Sequence, residues 1–188
     1  GFCLVGSEMC IRDSPKIIHN SILDKFDLKK KYIVLCPDSE YGPAKKWPIK
    51  KWIDLANSIP KTYQVVFMGL DSSITSAASK IGSNNCINLI GKTSLNEVII
   101  ILSKSTCVVS NDSGLMHVAA ALDRPVVGIY GSSSPEYTPP LIENDKKVII
   151  YENLSCSPCF KRICPLQHTN CLNNISVDSV KESISGLV

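Results

Sequence analysis

The sequence has no long apolar run: its longest such stretches, residues 98–102 and 118–122, fall far below the roughly 18–20 residues that a membrane-spanning helix needs. A dense Lys/Arg block is missing too. Acidic and basic residues are interspersed and the net charge is only +3, which argues against a nucleic-acid-binding surface while suiting a small anionic ligand. Neither GxGxxG nor GxxxxGK[ST] occurs, so a standard dinucleotide fingerprint and a P-loop both lack support. There is no internal repeat and no low-complexity linker. The opening segment GFCLVGSEMCIRDS lacks the charged start, long apolar centre and small-residue cleavage site of a secretory signal. It looks like a translated sequencing adapter from a metagenomic assembly. Residues 1–14 are therefore set aside as non-native, and with them Cys3, Cys10 and Asp13; an upstream portion of the reading frame is expected to be missing, with residues 15–30 a remnant of an interdomain region.

What is present suffices for one ordinary globular domain, at 188 residues with 44% hydrophobic. From residue 31 onward, short β-branched runs alternate with helix-like segments. YIVLC (32–36), YQVVFMG (63–69), CINLIG (86–91), TCVVS (106–110) and PVVGIYG (125–131) read as strands, and residues 49–59, 72–81, 94–105, 114–122 and 177–187 as helices. Ser94 followed by Glu97 is a capping-box pattern. Apolar strands separated by helices require crossover connections, hence a parallel sheet covered on both faces. The fold class expected is α/β, a Rossmann-like doubly wound domain spanning 31–188.

Such sheets bind ligands beyond the carboxyl ends of their strands. The polar clusters that follow strands are therefore the places to look: residues 37–47, 69–73, 110–117 and 131–135. In the third, Asn111-Asp112-Ser113-Gly114 leads straight into a helix, whose unpaired N–H groups and dipole would attract a phosphate, with Gly114 permitting close approach. The plainer alternative is that Asp112 or Ser113 only caps the helix, and that His117 is only a buried, satisfied histidine. In the first cluster, Asp38, Ser39 and Glu40 precede Lys45-Lys46. Two lysines facing a helix N-terminus would clamp a diphosphate, although lysines in loops commonly just face solvent. Asp71 stands past a strand and a glycine, where an acidic residue hydrogen-bonds a ribose or caps the next helix.

The segments YGPAKKWPIKKWIDLA, VVFMGLDSS, NDSGLMHVAAALDRPVVGIYGSSSPEYTPP and CSPCFKRICPLQHTNCLNNIS together resemble the C-terminal half of the ADP-heptose:lipopolysaccharide heptosyltransferases, family 9 glycosyltransferases, over about residues 31–187. The resemblance implies the donor-binding C-terminal domain of a two-domain GT-B enzyme that transfers heptose, with inversion, from ADP-heptose to the lipopolysaccharide inner core. It implies that Lys45 contacts the donor diphosphate and that Asp71 stands near the adenosine ribose, with Lys46 and Ser39 counted among the donor-binding residues. Ser113, Gly114 and Leu115 would form the phosphate turn, with Asp112 near the heptose hydroxyls and His117 supporting the loop. Asp71 is shorter than the Glu common in the family, which weakens its ribose assignment. The resemblance further implies that the catalytic base stands in an N-terminal domain expected upstream, which would also meet the acceptor, so Asp13 is not expected to be that base. No cofactor or metal is required, no nucleic acid is a partner, and the location implied is the cytoplasmic face of a Gram-negative inner membrane, with peripheral membrane contact.

Cysteine is the last feature. In the loop 153–175, Cys156, Cys159, Cys164 and Cys171 form a four-thiolate set that suits Zn²⁺, but their spacing is tighter than a zinc ribbon, and reduced thiols packed on the core are the favoured reading. Two other functions stay open: a stand-alone nucleotide-binding module without catalysis, and a GT-B protein using a UDP-sugar.

Overall fold

The computed structural model describes residues 16–71 and 85–188. Its elements in chain order are α1 (Lys16–Lys25), β1 (Tyr32–Cys36), a 3-10 turn (Pro43–Lys45), α2 (Ile49–Ser58), β2 (Gln64–Phe67), β3 (Cys86–Asn88), α3 (Leu95–Lys104), β4 (Cys107–Asn111), α4 (Gly114–Ala121) and β5 (Val126–Tyr130). A second 3-10 turn (Asn144–Lys146), β6 (Lys147–Tyr151), α5 (Asn170–Asn173) and α6 (Val177–Ser185) complete them.

All strand pairings are parallel, and the sheet order is β3-β2-β1-β4-β5-β6. Both faces of the central strands are buried, which is why they are apolar throughout rather than alternating. In β1, Ile33 and Leu35 join one core while Tyr32, Val34 and Cys36 join the other. The first core takes Trp52 and Leu55 from α2 and Val180 and Ile184 from α6; the second takes Ile101 and Leu102 from α3 and Met116, Ala119 and Ala120 from α4. Each large side chain buried this way contributes roughly 1.5–3 kcal/mol relative to exposure. This is the doubly wound α/β architecture that the alternation of runs implies.

Local chemistry sets the element ends. Pro48 stands at the N-cap of α2, whose amphipathic face carries Trp52, Leu55 and Ala56 inward. Ser94 and Glu97 form the reciprocal capping box of α3. Gly128 lets α4 lie close, because a Cβ there would stand 3.1 Å from Met116 Sδ and 3.1 Å from the Tyr130 ring.

One strand escapes the sequence pattern. KVIIY (β6) pairs with β5 at the sheet edge, and its residues are only half-buried; a preceding Asn-Asp-Lys turn and a leading lysine mask the short apolar run. The expected helix over 72–81 lies outside the described residues.

Candidate functional site

Strand order reverses direction between β1 and β4, and a crevice opens beyond their carboxyl ends. An open cleft of about 400 Å³ occupies it, lined by Asp38, Ser39 and Glu40 after β1, Gly69 and Leu70 after β2, Thr93, Leu95 and Val98 at the start of α3, and Ser113, Gly114, Leu115 and Val118 at the start of α4. Its lining mixes polar groups, Asp38, Ser39, Glu40, Thr93 and Ser113, with aliphatic ones, Leu70, Leu95, Val98, Leu115 and Val118. Leu70 and Leu95 are largely exposed, so apolar surface is left facing the cleft where a flat ring could cover it.

The start of α4 is not closed by its own side chains. Ser113 occupies the N-cap position with an extended backbone but makes no side-chain cap hydrogen bond. Its Oγ instead lies 3.0 Å from Ser110 Oγ. Asp112 does not cap either: its Oδ2 is 2.5 Å from Lys45 Nζ and accepts a hydrogen bond from Thr138 Oγ1 at 3.3 Å. The capping alternative therefore fails for both residues; Met116 N pairs with Ser113 O at 3.1 Å, and the helix start at Gly114 and Leu115 lines the cleft without a side-chain cap.

Lys45 reaches Asp112 because of how its turn is fixed. The buried Asn111 side chain donates from Nδ2 to Pro37 O at 2.7 Å and accepts from Trp47 N at 3.1 Å. It thus ties both ends of the loop after β1 to the end of β4. Trp47 in turn packs edge-to-face on Trp52, with centroids 5.2 Å apart, and donates to Ile175 O. Gly42 lets the turn pass, with φ +146° and no room for a Cβ, which would meet Arg162 O at 2.7 Å.

The two adjacent lysines part ways. Lys46 Nζ sits between Asp71 Oδ2 at 2.7 Å and Asp38 Oδ1 at 3.0 Å, whereas Lys45 pairs with Asp112. Partial burial alone would lower the Lys46 pKa, but hydrogen bonds to Asp71 and Asp38 outweigh that and leave it above the ordinary lysine value. Asp38 also accepts the N–H groups of Leu70 and Asp71 through Oδ2. His117 is not a buried histidine: its side chain is partly exposed, and Nε2 lies 3.8 Å from Asp112 Oδ1.

The structure thus gathers Ser39, Ser113, Gly114 and Leu115 on the cleft wall, with Asp112, Lys45 and His117 in one contact group and Lys46 and Asp71 in another. The sequence shows Asn111 only as part of the polar cluster, without its loop-tying role, and gives no sign of Thr138 or of Leu70, Leu95, Val98 and Val118 at the site. The available signal was a leucine at the first position of a capped helix and another inside a polar loop, both out of step with the core pattern.

The cysteine-rich loop packs behind the Lys45 turn. Cys156, Cys159, Cys164 and Cys171 line a small cavity with His168, and all four are free thiols. Cys171 is buried, and desolvation, followed by the neighbouring thiols of Cys159, Cys164 and Cys156, pushes its pKa up. Among the described residues no group of three or more His, Cys, Asp or Glu side chains is set to hold a metal, and no helix is long and apolar enough to cross a membrane.

Comparison with known proteins identifies the fold and the family. Residues 17–170 match the model of glycosyltransferase family 9 (heptosyltransferase). The chain is 44% identical to lipooligosaccharide heptosyltransferase 2 of Haemophilus influenzae over 125 residues, covering 63% of this chain and 36% of that protein. It is 46% identical to lipopolysaccharide heptosyltransferase 2 of Salmonella typhimurium over 116 residues, covering 58% and 33%. The solved structure of ADP-heptose lps heptosyltransferase II of E. coli superposes with a TM-score of 0.77 at 33% identity, over 93% of this chain and 52% of that one. The chain spans about a third of the length of these curated relatives and about half of that structure. The chain belongs to glycosyltransferase family 9, the heptosyltransferase family.

Proposed function

We propose that this chain is the donor-binding half of a heptosyltransferase that moves heptose from ADP-heptose to the inner core of lipopolysaccharide. The observation that carries the reading is the N-terminus of α4 at Ser113-Gly114, without a side-chain cap and lining a cleft that also carries Leu70, Leu95, Val98 and Val118. The aliphatic wall of Leu70, Leu95, Val98 and Val118 covers the adenine, and Asp71, held by Lys46, faces the ribose. The diphosphate lies on the α4 N–H groups, where fixed dipoles stabilise the charge that develops on the leaving ADP. Lys45 turns from Asp112 to the diphosphate as the donor enters, and Asp112 then accepts from heptose hydroxyls.

The base that activates the acceptor belongs to the N-terminal half, which also meets the lipopolysaccharide at the cytoplasmic face of the inner membrane. The chemistry asked of this half is binding and leaving-group stabilisation, and neither needs a metal. A transfer assay with ADP-heptose and a heptose-bearing acceptor tests the division of labour. The protein with both halves is expected to form product and to lose most of it in Lys45→Ala; the 188-residue chain alone is expected to bind ADP and form none. Heptose transfer by the chain alone would refute the division.

A further inference from the structure

The loops that follow β1 and β2 meet through one side chain. The two strands run in parallel with Leu35 beside Phe67, and their ladder ends where Met68 N donates to Leu35 O at 2.9 Å. The next N–H groups on the β2 side still need acceptors. Leu70 and Asp71 find one in a side chain: Asp38 Oδ2 accepts from Leu70 N at 3.2 Å and from Asp71 N at 3.0 Å. Gly69 permits the approach, since a Cβ there would stand only 3.1 Å from Asp38 Cβ.

The other carboxylate oxygen is engaged as well. Asp38 Oδ1 accepts from Ser39 N at 2.7 Å and lies 3.0 Å from Lys46 Nζ. Four donors thus take up the roughly four lone-pair directions of one carboxylate. Asp38 lines the cleft, yet its acceptor capacity is directed at the protein's own loops.

Lys46 completes the link, because the same ammonium lies 2.7 Å from Asp71 Oδ2. Asp71 is therefore tied to Asp38 twice, by its backbone N–H and by the cation the two carboxylates share. The first contact sets where the residue stands, and the second sets where its carboxylate points. Side-chain exposure is 18% for Asp38 and 29% for both Lys46 and Asp71, so solvent screens these contacts less than it would on an open surface. An isolated surface ion pair of this kind contributes little to stability. This one stands beside Leu70 on the cleft wall that faces the start of α4.

We propose that Asp38, acting with Lys46, is the positioning residue for the nucleoside: it holds the turn at 69–71 so that the Asp71 carboxylate accepts from the ribose hydroxyls. The role rests on the donor-binding reading. Asp38 and Lys46 act through Asp71 and do not touch the nucleotide, which takes Lys46 out of the donor-contacting set in which the sequence placed it. Two carboxylates around one ammonium leave this wall negative, whereas the helix dipole makes the α4 wall positive. Sugar hydroxyls, which can donate, suit the first wall, and phosphates suit the second.

The test titrates the chain with ADP, with 2′,3′-dideoxy-ADP and with inorganic pyrophosphate. The unaltered chain is expected to prefer ADP to the dideoxy analogue about ten-fold, as a hydrogen bond to a charged acceptor allows. In Asp38→Asn the carboxamide has one acceptor oxygen, and the ratio is expected to fall to about two-fold or less, with pyrophosphate bound no more weakly. Lys46→Met changes a side chain partly open to solvent, keeps the backbone hydrogen bonds of Asp38, and is expected to lower the ratio in the same direction. The unaltered ratio retained in either variant overturns the proposal, whatever happens to overall affinity. Loss of pyrophosphate binding in Asp38→Asn overturns it too, because the loop then acts as a general support. Such results, with an unaltered chain that discriminates, leave the donor-binding reading intact; an unaltered chain that fails to bind ADP refutes that reading itself.

Discussion

Lys45 and Asp112 form an ion pair of 2.5 Å across the two loops that flank the switch point of the sheet, with the Asp112 carboxylate almost wholly buried. The pair neutralises the cation that the proposed reading assigns to the donor diphosphate. Charge-assisted hydrogen bonds contribute about 1.5–3 kcal/mol each, so giving up the carboxylate offsets part of what Lys45 gains from the two phosphates of the diphosphate. Asp112→Asn is therefore expected to tighten ADP binding several-fold, by about 1 kcal/mol, because Lys45 is no longer held back. Lys45→Ala is expected to weaken it by about 1.5–3 kcal/mol. Calorimetric titration of both variants with ADP checks the pair; weaker ADP binding in Asp112→Asn contradicts the competition.

Gly114 separates stability from binding. Nothing lies within 4 Å of a Cβ built there, and its φ is not in the left-handed range. Gly114→Ala is thus expected to leave thermal stability unchanged or raise it by up to about 1 kcal/mol, through a less flexible unfolded chain. The same methyl group stands on the cleft wall, where the proposed function brings the diphosphate to the N–H groups of α4. A normal or higher melting temperature with at least ten-fold weaker ADP binding, about 1.4 kcal/mol, is the expected signature.

Asn111 is the keystone of the loop. Its side chain pairs with the Pro37 carbonyl and the Trp47 N–H. Asn111→Ala leaves both buried groups unpaired, and each such group costs about 1–3 kcal/mol. A loss of about 2–4 kcal/mol in urea unfolding is expected, together with weaker ADP binding because the Lys45 turn is released. Asn111→Asp keeps the acceptor and loses the donor, and is expected to fall between.

The capping box of α3 gives the chain an acid-sensitive joint. Glu97 has its pKa lowered to about 2, first by the hydrogen bond from Lys25 Nζ and then by the N–H and hydroxyl of Ser94. A depressed folded-state pKa adds stability that is present above the unfolded-state value and is lost as pH falls through the folded-state value. Stability measured by chemical denaturation is expected to decline between about pH 4.5 and pH 2 in part through this group. Glu97→Gln is expected to remove that part of the slope. An unchanged slope in the variant shows that the joint contributes nothing.

The sheet was legible because its central strands are buried on both faces and so carry unbroken apolar runs, and because Ser94 and Glu97 mark a helix start independently of packing. β6 was not, since an edge strand with half-buried residues and a leading lysine lacks the contrast that marks a core strand. The Ser113-Gly114 turn and Lys45 were found from their places after strands. Their exact pairing was not, because whether Lys46 faces the α4 N-terminus or Asp38 and Asp71 depends on the loop path, which Asn111 and Gly42 set through contacts distant in sequence. The aliphatic wall was hidden for the same reason: Leu70 and Leu95 read as stray surface leucines until the fold brings them to one cleft.

The central claim, that this cleft holds an adenine nucleotide by its diphosphate, is tested most directly by isothermal titration of the chain with ADP and with UDP under one buffer. The account predicts saturable ADP binding, at least ten-fold tighter than UDP binding, and loss of most ADP affinity in Lys45→Ala. Equal or tighter binding of UDP, or ADP affinity indifferent to Lys45, would contradict it.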